Sequence, residues 1–258
     1  DVLNNPAAEE IKAGAAWADV ATVGPWQVYR HFGDRALLES QFELMRHWGD
    51  YMTATTEVPG LWLYKKETHY GDWLGLDAEA GSYMGASDRY LIASAFYYYS
   101  TGLLCEAGHA LGRDVAAYDA LRAQIRTAFR AHYPTYRTQT ECTLAVYFDL
   151  AADKQAVADQ LAQMVHQNGD RLTTGFVGTP YLLYALSQNG HADVAYTLLL
   201  QEAFPSWLYA VNHGATTVWE HWDGRREDGT FWSADMNSFN HYAYHYAYGS
   251  VAGWVFEE

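Results

Sequence analysis

Basic residues and cysteines are both scarce in this chain of 258 residues. Only 16 Lys and Arg stand against 31 Asp and Glu, which gives a formal net charge of −15. Because binding to phosphates needs a basic face, this balance argues against nucleic acid or an anionic membrane as a partner and favours a neutral ligand. The two cysteines, Cys105 and Cys142, are too few for a disulfide framework and lie in apolar helical segments typical of buried free thiols. They leave the compartment, cytoplasmic or secreted, undecided.

Several signatures of common function classes are also absent. No run of eighteen apolar residues occurs, so no transmembrane helix is predicted. The chain has no GxSxG elbow, no Cys and His pair with a nucleophile signature and no phosphate-binding glycine loop, which disfavours acyl transfer and nucleotide binding. Aromatic residues, by contrast, are abundant, with 10 Trp and 21 Tyr. Their flat faces suit both core packing and stacking on sugar rings.

Helix stops and starts recur along the chain. Apolar residues between Ala15 and Phe32 follow the helical period. Four aspartates suited to helix N-caps are spaced by about forty residues or twice that, and these are Asp34, Asp114, Asp153 and Asp193. This period predicts helical hairpins. The segment LIASAFYYYSTGLL from Leu91 is apolar nearly all round, which favours an enclosed position in a closed ring. Such hairpins could also stack as an open solenoid, but the enclosed position favours the closed ring. We predict one all-α domain over residues 1–258 with about ten helices. A closed ring of six hairpins, an (α/α)6 barrel, needs twelve helices, so about one pair is missing.

The predicted helices alternate with irregular segments. Besides the two N-terminal helices, helices are expected over residues 88–112, 114–132, 139–150, 153–166, 179–188, 192–202 and about 236–256. Glycines and prolines predict irregular segments over residues 56–86, 171–178, 205–214 and 223–230. Because a long loop inside a compact helical array is usually functional, and loops at one end of a barrel converge, we expect these loops to line one pocket.

Unusual residues are concentrated in four short loop motifs, which only partly coincide with these irregular segments. Trp17 precedes a helix, Asp72 and Trp73 lie in the tripeptide GDW, and Thr174-Gly175-Phe176 lies in the third loop. The fourth loop holds Glu220. For the two tryptophans the alternative is core packing, and for Asp72 it is an Asx turn or a helix N-cap.

Glu220 is the leading catalytic candidate. It lies between Trp219 and Trp222 in the stretch NHGATTVWEHWDG. Since tryptophan usually buries most of its large surface, it carries its neighbours toward a pocket wall. The alternative is a paired structural acid. With acyl and nucleotide chemistry disfavoured, a carboxylate among tryptophans on a helical barrel indicates cleavage of glycosidic bonds.

His241 and His245 lie four residues apart in NHYAYHYAY and would share one face of a helix. That spacing suits a zinc site, but a structural site needs four ligands, and no HExxH or CxxC companion is present. We therefore predict no metal site. The tandem HYAY repeat adds about one helical turn, so it rotates the residues after it by only about 40°.

Five strings resemble the catalytic domain of the bacterial and fungal α-L-rhamnosidases of glycoside hydrolase family 78. They are AAWADVATVGPWQVYRHFGD, GDWL, TGFVGTPYLLYAL, PSWLYAVNHGATTVWEHWDG and MNSFNHYAY. The resemblance implies an (α/α)6 barrel that hydrolyses terminal α-L-rhamnosyl units with inversion and without a cofactor. It gives Glu220 the role of the general base, and it places Trp17, Trp73 and His241 in the rhamnose pocket. Asp72, Trp219 and Trp222 are the further substrate-binding candidates.

The sequence also departs from the family pattern. The family's general acid lies in a segment like RDERLGWTGD, which none of the 258 residues matches. The first barrel helices are expected to be missing with it, their place taken by another segment of the same protein or by a second copy. Position 221 is His where the family commonly has Arg, and the HYAY repeat leaves His241 and His245 as alternatives for the sugar contact.

Two other functions are alternatives to rhamnoside hydrolysis. The first is a non-catalytic remnant that keeps part of a rhamnose pocket. A lyase or an epimerase on the same barrel is the weaker alternative.

Overall fold

The computed structural model describes residues 14–66, 69–222, 224–225, 228–230 and 246–258. Helices and irregular loops make up this part of the chain, with two isolated β-bridges and no longer strand. By its internal contacts the chain divides into two compact units. The first comprises residues 1–71 and 88–135, and the second comprises residues 72–87 and 136–258. No helix in the described ranges is both long enough and apolar enough to cross a membrane.

The first unit consists of two helical hairpins. Their helices are α1 (Val20–Phe32), α2 (Arg35–Thr55), α3 (Arg89–Leu111) and α4 (Ala116–His132), and α1 packs on α2 as α3 packs on α4. Gly33 ends α1 in the left-handed conformation, with φ +67°, and Asp34 then caps α2 by accepting from the Leu37 N–H at 2.9 Å. The predicted Gly stop and Asp start are therefore confirmed here.

Helix α3 carries the core of the first unit. It is buried on nearly every face, whereas α4 buries only Ile125 and Phe129. The enclosed position predicted for the segment from Leu91 is confirmed, because an all-round apolar helix is stable only when it is surrounded. A core cluster joins α3 to α2 and to the start of α4, and its members are Leu38, Phe42, Met45, Leu104, Ala107, Leu111 and Val115.

The second unit continues the hairpin pattern. Its helices are α5 (Gln139–Tyr147), α6 (Lys154–Gln167), α7 (Thr179–Ser187), α8 (Ala192–Leu199), α9 (Trp207–Asn212), α10 (Tyr246–Gly249) and α11 (Val251–Glu257). Helix α5 packs on α6, and α7 packs on α8. Since only Ser250 separates α10 from α11, the described residues hold ten helical segments, as predicted. Cys105 and Cys142 are buried and unpaired with each other, as predicted.

Several of the predicted helix boundaries are wrong. Asp114 is not the N-cap of α4, because Val115 occupies that position and the Asp114 carboxylate accepts from the Ala116 N–H at 3.1 Å. Helices α5 and α8 each end three residues before the predicted end.

Residues 207–212, predicted as loop, form α9, because the Ser206 hydroxyl accepts from the Tyr209 N–H at 2.9 Å and caps a helix too short to show periodicity. Asp193 lies inside the first turn of α8, where His191 occupies the N-cap position. Helix α1 begins only at Val20, since residues 15–19 form turns. The predicted last helix is described only from residue 246, and its earlier part lies outside the described residues.

Candidate active site

Glu220 is fixed between two anchored indoles. Trp219 and Trp222 are 5% and 4% exposed, whereas Glu220 is half-buried. Trp222 stacks on Tyr248 with ring centroids 4.2 Å apart and meets Trp207 edge-on at 5.2 Å. Glu220 therefore lies between two buried indoles, one of which packs on two further aromatic rings, in a segment outside any helix.

The carboxylate of Glu220 has no hydrogen-bonding or ionic partner in the part of the chain that the structure describes. Burial raises its pKa above the ordinary glutamate value of 4.5. A structural acid would be paired, because an unpaired buried charge is costly, so the alternative of a paired structural acid does not fit these residues. A half-buried, unpaired carboxyl with a raised pKa is suited to proton transfer.

Aromatic contacts connect the Glu220 segment to two other loops of the second unit. Tyr248, which stacks on Trp222, meets Phe176 edge-on at 5.4 Å. The Phe176 N–H in turn donates to the Trp73 carbonyl oxygen at 2.9 Å. Three of the four predicted loops are thus joined within one compact unit.

A pocket of about 330 Å³ lies beside these segments. Its lining is mostly aromatic and aliphatic and comprises Leu74, Gly75, Leu76, Gly81, Ser82, Tyr83, Phe204, His221, Trp222 and Tyr248. Trp73 and Glu220 are not lining residues, but each is the sequence neighbour of one. No Lys or Arg is among the described residues that line the pocket.

Asp72 is enclosed by protein donors. Its side chain is 1% exposed, and its two oxygens accept from the backbone N–H groups of Gly175 at 2.7 Å, Val177 at 2.8 Å and Gly178 at 3.2 Å. The Thr140 hydroxyl donates the fourth bond. Burial raises the pKa of this carboxyl, and the four donors oppose that rise. These bonds give Asp72 neither the Asx turn nor the N-cap that was its alternative, and a direct contact with a sugar stays a prediction.

Trp73 and Trp17 lie on separate units and are each partly exposed. Trp73 packs on Tyr83 with ring centroids 5.3 Å apart. Trp17 packs on Tyr70 at 4.9 Å and follows Ala16, whose φ of +69° is in the left-handed region. Neither indole is fully buried as core packing would require, since each retains part of its surface exposed.

His241 and His245 lie outside the described residues, so the choice between them stays open. Within the described residues, no group of three or more His, Cys, Asp or Glu side chains is arranged to hold a metal ion.

Known proteins share this arrangement of helices and loops. Residues 3–258 match the family model described as the bacterial alpha-L-rhamnosidase six-hairpin glycosidase domain. The chain belongs to this family. The predicted (α/α)6 fold class is confirmed by that match, since the six-hairpin rhamnosidase domain is built from paired helices of the kind found here.

Two curated relatives of this domain are named alpha-L-rhamnosidase. The protein from Streptomyces avermitilis is 36% identical over 250 residues, which cover 94% of this chain and 23% of that protein. The protein from Formosa agariphila is 34% identical, and the match covers 100% of this chain and 28% of that protein. The chain therefore spans about a quarter of the length of these relatives.

Two solved structures have the same fold. The Streptomyces avermitilis alpha-L-rhamnosidase, crystallised in complex with L-rhamnose, superposes with a TM-score of 0.81 at 35% identity over 94% of this chain and 23% of that one. The native α-L-rhamnosidase from Aspergillus terreus superposes with a TM-score of 0.85 at 33% identity over 95% of this chain and 29% of that one.

Several residues that build this six-hairpin domain's site were missed as candidates. Tyr248 and Tyr83 hold the indoles of Trp222 and Trp73, and Asp19 and Thr140 anchor loops. The sequence carried a signal for Asp19 alone, since it ends the tetrapeptide AWAD at a helix start. The contacts of Tyr83, Tyr248 and Thr140 join positions 10 to 68 residues apart in the sequence, so no local sequence pattern indicates these three residues.

Proposed function

We propose that this chain supplies the catalytic base and part of the sugar pocket of an inverting α-L-rhamnosidase. The observation that carries the proposal is the Glu220 carboxylate, which is half-buried, unpaired among the described residues and held between two buried indoles. Membership of the six-hairpin rhamnosidase family and the rhamnose complex of a relative support the choice of sugar.

In this mechanism Glu220 removes a proton from a water molecule as the water attacks the anomeric carbon. Attack comes from the face opposite the leaving group, which inverts the configuration. A second carboxyl, about 6.5–9.5 Å away, protonates the leaving oxygen in inverting enzymes. From the family resemblance we expect that acid on a segment outside these 258 residues. The products are free L-rhamnose and the alcohol of the aglycone.

Trp17 and Trp73 would stack on the apolar faces of the rhamnose ring. L-rhamnose is a 6-deoxy sugar, and its methyl group makes it unusually apolar for a hexose, which favours contact with indoles. His241 is the predicted polar contact to the sugar. The indole N–H of Trp222 is buried without an acceptor among the described residues.

The test is rhamnose release from an aryl α-L-rhamnoside by the complete gene product, with the anomer formed first identified by NMR. Removing a proton-transferring group typically costs about 10² to 10⁴ in rate, so Glu220→Gln should lose that much of kcat. Glu202→Gln is the matched control, since Glu202 is an exposed glutamate of the same unit. Equal rates in the wild type and Glu220→Gln would remove the role assigned to Glu220, and retention of configuration would exclude inversion. Rhamnose binding without turnover by the wild type would identify a non-catalytic remnant.

A further inference from the structure

A buried aspartate accompanies each of the two tryptophans that are predicted to contact the sugar. Asp19 follows Trp17 by two residues, and Asp72 directly precedes Trp73. Their side chains are 0% and 1% exposed. Each compact unit therefore contains one such pair, built on unrelated loop sequences.

Asp72 joins the Trp73 loop to the loop of residues 174–178 through both of its oxygens. Oδ2 accepts from Gly175 N–H and the Thr140 hydroxyl, and Oδ1 accepts from the N–H groups of Val177 and Gly178. With two bonds on each oxygen, the carboxylate is fully used within the protein. These bonds hold the two loops in contact.

The backbone of Trp73 is fixed by the same contact between loops. Its carbonyl oxygen accepts from Phe176 N–H at 2.9 Å, and the Asp72 carbonyl oxygen accepts from Gly75 and Gly85 N–H at 3.0 and 2.9 Å. A Cβ on Gly175 would lie 2.2 Å from the Trp73 carbonyl oxygen, so the close approach requires glycine there. The direction of the Trp73 indole therefore depends on the loop that Asp72 holds.

Asp19 performs the equivalent task for Trp17. One oxygen accepts from the Ala16 N–H at 2.7 Å, and the other accepts from the indole N–H of Trp48 at 2.8 Å and from the Ser100 hydroxyl. Ala16 has a φ of +69°, a conformation that alanine rarely adopts and that needs surrounding structure to maintain it. The bond from its N–H to Asp19 closes the turn that carries Trp17.

We propose that Asp19 and Asp72 are positioning residues, which set the direction of the Trp17 and Trp73 indoles without touching the sugar. The catalytic consequence rests on the proposed rhamnosidase function, whereas the structural consequence does not. A carboxylate is needed at both places because every bond it makes is accepted from an N–H or O–H group. An asparagine would turn an N–H donor toward Gly175, or toward Val177 and Gly178, and leave buried N–H groups unpaired.

The experiment uses ¹⁹F NMR of the complete gene product labelled with 5-fluorotryptophan, in which each of the ten tryptophans of these 258 residues gives a signal. The signals of Trp17 and Trp73 are assigned from Trp17→Phe and Trp73→Phe. Asp72→Asn should shift or broaden the Trp73 signal and leave that of Trp17 in place. Asp19→Asn should move the signals of Trp17 and Trp48 and leave that of Trp73. Asp153→Asn is the matched control, because asparagine caps a helix as well as aspartate does and Asp153 caps α6.

Kinetics of the complete gene product and its variants on an aryl α-L-rhamnoside supply the second measurement. An indole that points in the wrong direction should bind the sugar more weakly and orient it less well. We therefore expect kcat/KM to fall about 10- to 100-fold in Asp72→Asn. The same fall with an unmoved Trp73 signal would identify Asp72 as a direct sugar contact and overturn the proposal. An unmoved signal with unchanged kinetics would overturn it as well. If the wild type has no activity, the proposed function fails, while the ¹⁹F signals still decide the positioning role.

Milder variants cover the case in which an asparagine variant does not fold. Thr140→Val and Ser100→Ala each remove one hydroxyl donor from the Asp72 and Asp19 carboxylates and leave the N–H donors in place. Each should shift the signal of its own tryptophan and not that of the other. If neither hydroxyl variant moves its own tryptophan signal, the positioning role is excluded.

Discussion

Trp222 stacks on Tyr248 with the two ring planes 22° apart and their centroids 4.2 Å apart. This pair connects the Glu220 segment to the C-terminal helices, and Tyr248 is only 1% exposed. A rigid contact so close to a proposed base links stability to catalysis, because the indole that fixes Glu220 is itself held by a tyrosine 26 residues away.

Tyr248→Ala should therefore lower both stability and activity. Emptying a buried aromatic site typically costs about 3–5 kcal/mol of unfolding free energy, and a misplaced base should lower kcat about tenfold or more. Urea unfolding and aryl rhamnoside kinetics measure the two effects. The control is Tyr246→Ala, since Tyr246 is 68% exposed two residues away. If both variants behave alike, Trp222 does not depend on Tyr248.

The raised pKa of Glu220 predicts the acid limb of the pH profile. A general base must be ionised, and burial holds the pKa of Glu220 above the ordinary value of 4.5. As pH falls through the raised pKa, Glu220 is protonated and kcat/KM should decline, so the midpoint of the acid limb should lie above 4.5. The measurement is kcat/KM against pH for the wild type, checked by circular dichroism for unfolding. A midpoint at or below 4.5 would show that Glu220 is not the base that titrates.

The all-α fold could be predicted from sequence because helical period and capping are local properties. Asp34 and Asp153 cap helices as their positions predicted. Asp193 does not, because an aspartate suits the first turn of a helix as well as the cap and one sequence cannot separate the two positions. Helix α9 was missed because six residues are too few for a periodic signal.

The site was only partly predictable, for a different physical reason. Glu220 lies within two residues of Trp219 and Trp222 in the sequence, so the residue types alone predicted that this segment forms a pocket wall. The bond from Gly175 N–H to Asp72 joins positions 103 residues apart, and nothing local to either residue predicts it. Sequence could therefore mark Asp72 as unusual, but only the fold shows that its carboxylate is used by the protein itself.

Gly175→Ala should destabilise the loop contact beside Trp73. The added Cβ would lie 2.2 Å from the Trp73 carbonyl oxygen and 2.6 Å from the Gly75 nitrogen, and both are backbone atoms that cannot swing aside. Overpacking of this kind typically costs about 1–3 kcal/mol. Gly24→Ala is the comparison, since its Cβ would meet only a Val20 methyl at 3.7 Å and alanine favours a helix interior by about 1 kcal/mol. Chemical unfolding of both variants checks the contrast, and equal stability would contradict the close approach.

His69 should make stability depend on pH between about 6.5 and 4. Its Nδ1 accepts from the Ala15 N–H at 3.4 Å, which leaves Nε2 to donate to the Tyr64 carbonyl oxygen at 3.2 Å, so the ring is neutral. Burial, assisted by the charge of Arg89, lowers the pKa of His69 from 6.5 to about 4. In that interval the unfolded chain binds the proton and the folded chain does not, so the stability that this histidine contributes is lost as pH falls. A shift of this size corresponds to about 3 kcal/mol of unfolding free energy.

Urea unfolding at several pH values measures this effect. On acidification, His69→Gln should lose less unfolding free energy than the wild type. His31→Gln, at an exposed histidine of α1, should keep the pH dependence of the wild type. Parallel pH dependences in the wild type and His69→Gln would show that His69 is protonated alike in the folded and unfolded chain.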